Sequence, residues 1–364
     1  MKDLGQLLQD ESGRQFLRDN GVYISLDEFN DALREPTNGG PNRVYGAQQL
    51  YMDYTLGVST KVAALKDLSD RGIETDFIWI DTDRAGSDNL ITRFYWPGIG
   101  VDNAKGYGSV SVKKAKYPEI RFVELYEEYL ANTGREFRKA LGAEDKYDAE
   151  RFQRFWSNFE DKSKLVDLNL SLTEFLFRDY FEYFPEPVVL SENLGGEFSR
   201  QLGNVVRDMP AVIEGVNESI DYLKRKDVDP QIGIKDETYL PIYVTCQNDG
   251  KRSPLRRLNE DQPYAAANCS CGNEMKFPMG QELSVDYIIR DATWSPDVTL
   301  PFLTNDSYSG GVVGKSSALY GIVLNRVMRN VLGKEPIPLF VPVEYTDQLQ
   351  DIKTGLIPNY FNRK

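Results

Sequence analysis

Three groups of residues in this chain have types and spacings suited to chemistry. In Cys246-Gln247-Asn248-Asp249-Gly250-Lys251 a zinc-knuckle pattern has Asp249 where a second cysteine belongs, and Cys269-Ser270-Cys271-Gly272 is an opposing knuckle shortened by one residue. A carboxylate is an acceptable zinc ligand, so the four residues make a Cys3Asp set with no open position, which is a structural rather than a catalytic site. The other reading is a ribbon that has lost its metal. The second group is Gly310, Gly311 and Gly314 followed by Lys315 and Ser316. A glycine-rich turn feeding a helix lets backbone amides, the helix dipole and a lysine approach an anion, phosphate above all. The spacing differs from a Walker loop by one residue, since Ser309 stands where the first glycine is required. A strand-to-helix turn that needs glycines for its own sake fits the same pattern. The third group is Gly46-Ala47-Gln48-Gln49 with Asp81-Thr82-Asp83. Glutamine amides at a helix start donate to phosphate or substrate oxygens. Two aspartates at a strand end suit an ammonium, a sugar hydroxyl or Mg2+, and a polar turn uses the same residues.

These groups carry weight because the usual catalytic side chain is missing. The chain has no histidine, which removes Ser-His-Asp and Cys-His nucleophiles and the commonest neutral metal ligand. Chemistry falls to Asp, Glu, Lys, Tyr, Arg and the backbone. The 364 residues, 41% hydrophobic and 27% charged, describe a folded chain with enough apolar content for one to three cores. A formal charge of −13 repels phosphate backbones and argues against broad nucleic-acid binding. Arg252, Arg256, Arg257 and the run Lys224-Arg225-Lys226 are the candidates for a local basic face. Three clustered cysteines and an N-terminus without an apolar signal core point to the cytoplasm, and no apolar run is long enough to span a bilayer.

The elements that must position these residues follow from periodicity. Short amphipathic helices over 2–36 are expected, one opened by Ser25-Leu26-Asp27-Glu28 as a capping box. The run Arg43-Val44-Tyr45 reads as a strand turning at Gly46. Tyr51, Tyr54, Val58, Val62, Leu65 and Leu68 then recur at helical spacing up to Gly72, and Phe77-Ile78-Trp79-Ile80 gives a second strand. Stripes Phe122, Tyr126, Tyr129, Phe137 and Phe152, Phe155, Trp156, Phe159 indicate a helical insertion, with one helix opening at Ser171-Leu172-Thr173-Glu174 behind Leu170 and a short strand at Glu186-Pro187-Val188-Val189-Leu190. Short β-like runs carry the cysteines. Val298 to Leu303 reads as a strand, the glycine loop follows from Thr304 to Lys315, then a helix with Leu319, Ile322, Val323, Val327 and Val331, and a last strand at Leu339-Phe340-Val341. The expectation is an α/β protein with a Rossmann-like parallel sheet, its first half over 1–120, a helical insertion over 121–233, a zinc-ribbon-like module over 234–290 and its second half over 291–364. Ligands would sit outside the carboxyl ends of the strands.

The segments from Val44 to Leu68, Phe77 to Asp83, Trp294-Ser295-Pro296-Asp297-Val298 through Phe302-Leu303-Thr304-Asn305-Asp306 to Gly314, and Pro336 to Pro342 resemble the cysteine ligase family that completes bacillithiol synthesis. The resemblance implies a class I aminoacyl-tRNA-synthetase-like core that uses ATP and Mg2+, without tRNA, to join an amino acid to a small-molecule amine. It places nucleotide at Gly46, Gln48, Gln49, Gly310, Gly311, Gly314, Lys315 and Ser316, and substrate at Asp81, Asp83, Asn305 and Asp306, with Lys315 and Asp81 in the chemical step. The chain departs from the family in the extra Ala47 of the glycine-glutamine turn, in Asp81-Thr82-Asp83-Arg84-Ala85-Gly86 where an acidic-histidine cluster is expected, in Lys315 at an acidic position, and in lacking length for a long coiled coil. The cysteine module is similar to the zinc ribbon of class I lysyl-tRNA synthetases. Expected partners are small-molecule amino acid and amine substrates and, at most, a second copy of the chain. The alternatives are a non-catalytic synthetase-like nucleotide-binding or assembly protein, or an enzyme that aminoacylates or modifies tRNA.

Overall fold

The computed structural model describes residues 1–35, 39–50, 56–83, 93–95, 107–109, 119–125, 127–128, 130–131, 134–135, 149–259, 263–352 and 355–362. Expectations that rest on Tyr51, Tyr54, Arg84 to Gly86, Tyr126, Tyr129 and Phe137 lie outside them. In chain order the principal strands are β1 (Val22–Tyr23), β2 (Arg43–Gln49), β3 (Glu74–Ile80), β4 (Glu186–Val189), β5 (Tyr239–Thr245), β6 (Arg252–Asn259), β7 (Pro263–Asn268), β8 (Glu274–Pro278), β9 (Trp294–Pro296), β10 (Gly310–Val312) and β11 (Leu339–Phe340). A short antiparallel ribbon joins Arg93–Tyr95 to Tyr107–Ser109.

Six strands form one parallel sheet in the order β1-β11-β10-β2-β3-β4, and five form an antiparallel sheet in the order β8-β7-β6-β5-β9. The parallel sheet is covered on both faces, as such sheets must be. Alternate side chains divide between the two cores: Val44, Phe77 and Trp79 pack with Val62, Leu65 and Phe177, whereas Tyr45 and Ile78 join Leu319, Ile322, Val216 and Ile220. The first layer is built from helices α1 (Leu56–Asp70) and α2 (Leu165–Phe181). The second is built from α3 (Gly196–Arg207), α4 (Met209–Arg225) and α5 (Lys315–Asn330). The segment expected as a helical insertion thus supplies β4, an edge strand of the sheet, and helices for both layers.

Helix α1 leads from β2 to β3 on one side, and α5 leads from β10 to β11 on the other. Right-handed crossovers running in opposite directions from two adjacent strands must use opposite faces. The crevice between β2 and β10 is therefore the topological switch point.

Several local expectations are corrected. Gly46 does not turn the chain but sits in mid-strand, where a Cβ would lie 2.8 Å from Leu65 and 3.0 Å from the Phe77 ring. Gly310 and Gly311 form β10 itself rather than a loop; a Cβ would lie 2.7 Å from Phe29 and Leu33 at the first and 2.6 Å from the Tyr45 ring at the second. All three are small because neighbouring side chains fill the space over them. Leu300–Leu303 is a short helix, not a strand, with Pro301 in its first turn, where a missing N–H costs nothing. Helix α2 begins at Leu165, so Ser171 and Thr173 lie inside it and form no capping box; Thr173 instead donates to the Asn169 carbonyl at 2.5 Å. Ser25 is the N-cap of Leu26–Asp31 without a side-chain cap, and the Leu26 amide donates to Glu344 at 3.2 Å.

Candidate functional site

The carboxyl end of β2 brings Gln48 and Gln49 to the switch point, β3 brings Thr82 and Asp83, and the start of α5 brings Gly314, Ser316 and Ser317. They line a cavity of about 500 Å3. A second lobe of about 550 Å3 shares Gln48, Lys61, Val313, Gly314 and Ser316 with it and adds Lys315. Each lobe is of a size that holds a small ligand.

Lys61 stands between the lobes. It belongs to the buried face of α1, at helical spacing from Val58 and Leu65, and is 4% exposed. Its Nζ donates to the Ala47 carbonyl at 2.7 Å and to Gln48 Oε1 at 2.6 Å. Burial alone shifts it, down to about 7, and no carboxylate among the described residues offsets the cost. A Cβ on Gly314 would lie 4.0 Å from Nζ, so the N-terminus of α5 faces the lysine across the crevice. An anion placed there meets a cation, a glutamine and the positive end of a 16-residue helix.

The opposite wall comes from the antiparallel sheet. Arg252 lies over the Tyr243 ring at 3.9 Å, donates through Nε to Ser295 Oγ at 2.8 Å and through Nη2 to the Pro296 carbonyl at 2.9 Å, and approaches Asp83 at 3.5 Å. Gln49 also donates to Asp83. Asp83 is thus held between an amide and a guanidinium with its carboxylate at the cavity wall.

The expected site residues divide accordingly. Gln48, Gln49, Asp83, Gly314 and Ser316 come together, and Lys315 lies exposed in the outer lobe. Gly46, Gly310 and Gly311 are packing positions outside the crevice. Asp81 is 1% exposed and accepts from the Ser191 amide at 3.0 Å and the Ser191 hydroxyl at 2.5 Å, while burial pushes its pKa up. It anchors the turn after β4 and is not placed to hold substrate. Asp81→Leu, which orphans the Ser191 amide, is expected to lower stability by about 1–3 kcal/mol. Asp81→Asn keeps an acceptor for that amide and is expected to stay within about 1 kcal/mol of the parent, with ligand affinity unchanged. Chemical denaturation with parallel calorimetry checks both. Asn305 and Asp306 precede β10 and so lie at its amino end, away from the crevice. Asp306 pairs there with Lys334 at 3.3 Å and Arg200 at 3.2 Å, and Asn305 lines a separate cavity with Gln201 and Lys334.

Lys61 and Tyr243 are not among the residues the sequence singles out, and Arg252 enters there only as a candidate for a local basic face. The signal for Lys61 was present: a lysine three residues after Val58 and four before Leu65 falls on the apolar stripe. Arg252 could not be placed, because its partners come from β3 and β9.

The cysteine cluster sits where β5 and β7 end. Cys246, Asp249, Cys269 and Cys271 bring their ligand atoms within 4.8 Å of one another. The Cys246 and Cys271 sulfurs are 3.7 Å apart, close to the edge of about 3.8 Å of a tetrahedron with ~2.3 Å Zn–S bonds. Cys269 Sγ meets Asp249 Oδ1 at 3.1 Å. Both knuckles close with backbone bonds, Gly250 N to Cys246 O at 2.8 Å and Gly272 N to Cys269 O at 2.9 Å, and both glycines take positive φ, +69° and +89°. Three thiols and a carboxylate on two tight turns fit a thiophilic tetrahedral ion.

No family model matches the chain, and no curated protein matches it in sequence. Among the described residues no helix is long and apolar enough to cross a membrane.

Proposed function

We propose that the switch-point crevice holds a nucleotide and that the protein is an ATP-dependent ligase joining an amino acid to a small-molecule amine, with a class I synthetase-like core and a structural zinc at Cys246, Asp249, Cys269 and Cys271. One observation carries the nucleotide reading: Lys61 is a buried cation without a carboxylate partner among the described residues, facing a helix N-terminus across an open crevice. A phosphate chain offsets the burial cost of that cation. Gln48 and the amides following Gly314 orient the phosphates, Lys61 and Lys315 spread their charge, and Asp83 takes Mg2+ or the substrate ammonium. In-line attack of an amino-acid carboxylate on phosphorus needs positioning and charge stabilisation more than a histidine base. The resemblance supplies the ligase part of this reading, and the negative net charge favours a small acceptor over tRNA.

Calorimetry with ATP, with and without Mg2+, tests binding, and amino-acid-dependent ATP consumption tests turnover. Saturable binding with consumption stimulated by one amino acid supports the ligase. Binding without consumption across all amino acids and amines leaves a non-catalytic nucleotide-binding protein, and no binding removes both. Elemental analysis is expected to find one zinc per chain, falling several-fold in Cys269→Ser; a metal-free wild-type chain would sink the zinc reading.

A further inference from the structure

The metal cluster and the crevice share a strand. The knuckle that begins at Cys246 closes at Lys251, whose carbonyl accepts from the Cys246 amide at 2.8 Å, and the next residue is Arg252. Thr245 and Arg252 face each other as the last rung of the β5–β6 pair. Whatever fixes the knuckle therefore fixes the residue whose guanidinium spans Ser295, Pro296 and Asp83 on the crevice wall.

A second connection leaves the same rung. The Thr245 hydroxyl donates to Glu119 at 2.7 Å, a carboxylate with no exposed surface, and Glu119 pairs with Arg121 at 2.6 Å. Arg121 donates from its side chain to the Trp294 carbonyl at 3.0 Å and from its backbone to the Asp81 carbonyl at 3.0 Å, next to Thr82 and Asp83 at the end of β3. Two routes thus run from the knuckle toward the crevice, one ending on the Asp83 carboxylate and one on the Asp81 carbonyl two residues before it.

We infer that Arg252 is a positioning residue of the crevice and that metal held by Cys246, Asp249, Cys269 and Cys271 sets its place, so that metal occupancy controls ligand affinity at a site built mostly from other elements. The inference rests on the nucleotide reading of the crevice and gives the cluster a role beyond holding its own module together. Cys246, Asp249, Cys269 and Cys271 line neither lobe of the crevice, so a metal there would act at a distance, holding a turn whose closing rung aims a guanidinium.

The experiment uses the full chain in three states: zinc-loaded, stripped by a chelator, and restored with zinc. Amide exchange is followed in 239–257 and 294–297, with Glu74–Ile80 in the parallel sheet as internal reference, and ATP·Mg2+ binding is measured by calorimetry. Stripping is expected to speed exchange in the first two segments, leave Glu74–Ile80 protected and weaken ATP about tenfold, with zinc reversing all of it. Arg252→Met is expected to keep its zinc and its knuckle protection yet show the same loss of affinity. Arg252→Lys, which retains the charge without the three-pronged grip, should behave like Arg252→Met. Full affinity in the stripped protein, wild-type binding by Arg252→Met, or loss of protection in Glu74–Ile80 on stripping would each overturn the inference, the last because the metal would then hold the whole fold. If the zinc-loaded chain binds no ATP, the nucleotide reading fails, and the exchange of 294–297 alone decides the coupling.

Discussion

Replacing Lys61 with methionine will weaken ATP binding about a hundredfold and remove the proton uptake at this site that accompanies binding above pH 7. The magnitude follows from a charge-assisted contact worth about 1.5–3 kcal/mol to a group with no competing solvent. The pH dependence follows from burial, which lowers Lys61 from 10.5 to about 7. Phosphate must meet the protonated amine. Above pH 7, binding therefore takes up a proton, and affinity falls by up to about tenfold per pH unit. Calorimetry in buffers of different ionisation enthalpy reads the proton directly, and the methionine variant should show none at this site. The stability effect has a definite sign. Between about 7 and 10.5 the unfolded chain holds a proton at this lysine that the folded chain does not, so the lysine's contribution to stability rises with pH across that window. Below 7 both states are protonated and the folded chain bears the full cost. Lys61→Met should accordingly gain on the parent at low pH, and its advantage should shrink by up to about 1.4 kcal/mol per unit between 7 and 10.5. Unchanged ATP affinity in Lys61→Met would remove the lysine from the site.

Gly311→Val will destabilise the protein by about 3 kcal/mol or more, while Gly314→Ala will leave stability within about 0.5 kcal/mol and lower ATP affinity about tenfold. Gly311 pairs with Tyr45 across the two central strands, and a Cβ there would lie 2.6 Å from a ring that is 1% exposed. That ring packs edge-on to Tyr308 at 5.2 Å, and the Tyr308 hydroxyl is committed to Asp76 at 2.7 Å. Tyr45 is thus held on its Tyr308 side, and the cost appears as a separated strand pair, a displaced network or a ring pushed toward the crevice that it lines. At Gly314 the backbone is ordinary, φ −76°, and among the described residues, chain neighbours aside, a Cβ would meet nothing nearer than the Lys61 amine at 4.0 Å. A methyl there obstructs the approach of an anion to the helix amides without touching the core. Denaturation midpoints and ATP titrations on the two variants separate packing glycines from an approach glycine. Equal stability losses at both positions would defeat the distinction.

That pair of glycines also marks how far the sequence could be read. The cysteine knuckles, Asp83 beyond a strand end and Gly314 at a helix start follow from local periodicity and turn chemistry, and the structure places them so; Gln48 and Gln49, expected at a helix start, are instead the last residues of β2. Gly46, Gly310 and Gly311 were assigned to turns because a glycine states that space is tight without saying what fills it. Here Leu65, Phe77, Phe29 and Tyr45 fill it, and each of the four belongs to a strand or helix other than that of the glycine it covers. Asp81 was read as a ligand for the converse reason, since its partner Ser191 lies beyond a long intervening segment. Lys61 is legible from its spacing to Val58 and Leu65, but Ser59, Thr60 and Val62 beside it are buried as well, so the stripe alone does not single it out.

The order of the parallel sheet has a kinetic consequence. Its two central strands, β2 and β10, are drawn from distant parts of the chain; Arg43 bonds Ser309 across a separation of 266 residues. At synthesis rates of about 5–20 residues per second, the β2–β3 pair emerges and waits roughly 10–50 s for the strand that completes it. Throughout that interval one long edge, carrying Val44, Tyr45 and the amides of β2, has no partner. Contacts of this sequence separation also make folding slow once the chain is whole. The crevice, whose two walls meet along that seam, is therefore among the last features of the chain to be completed.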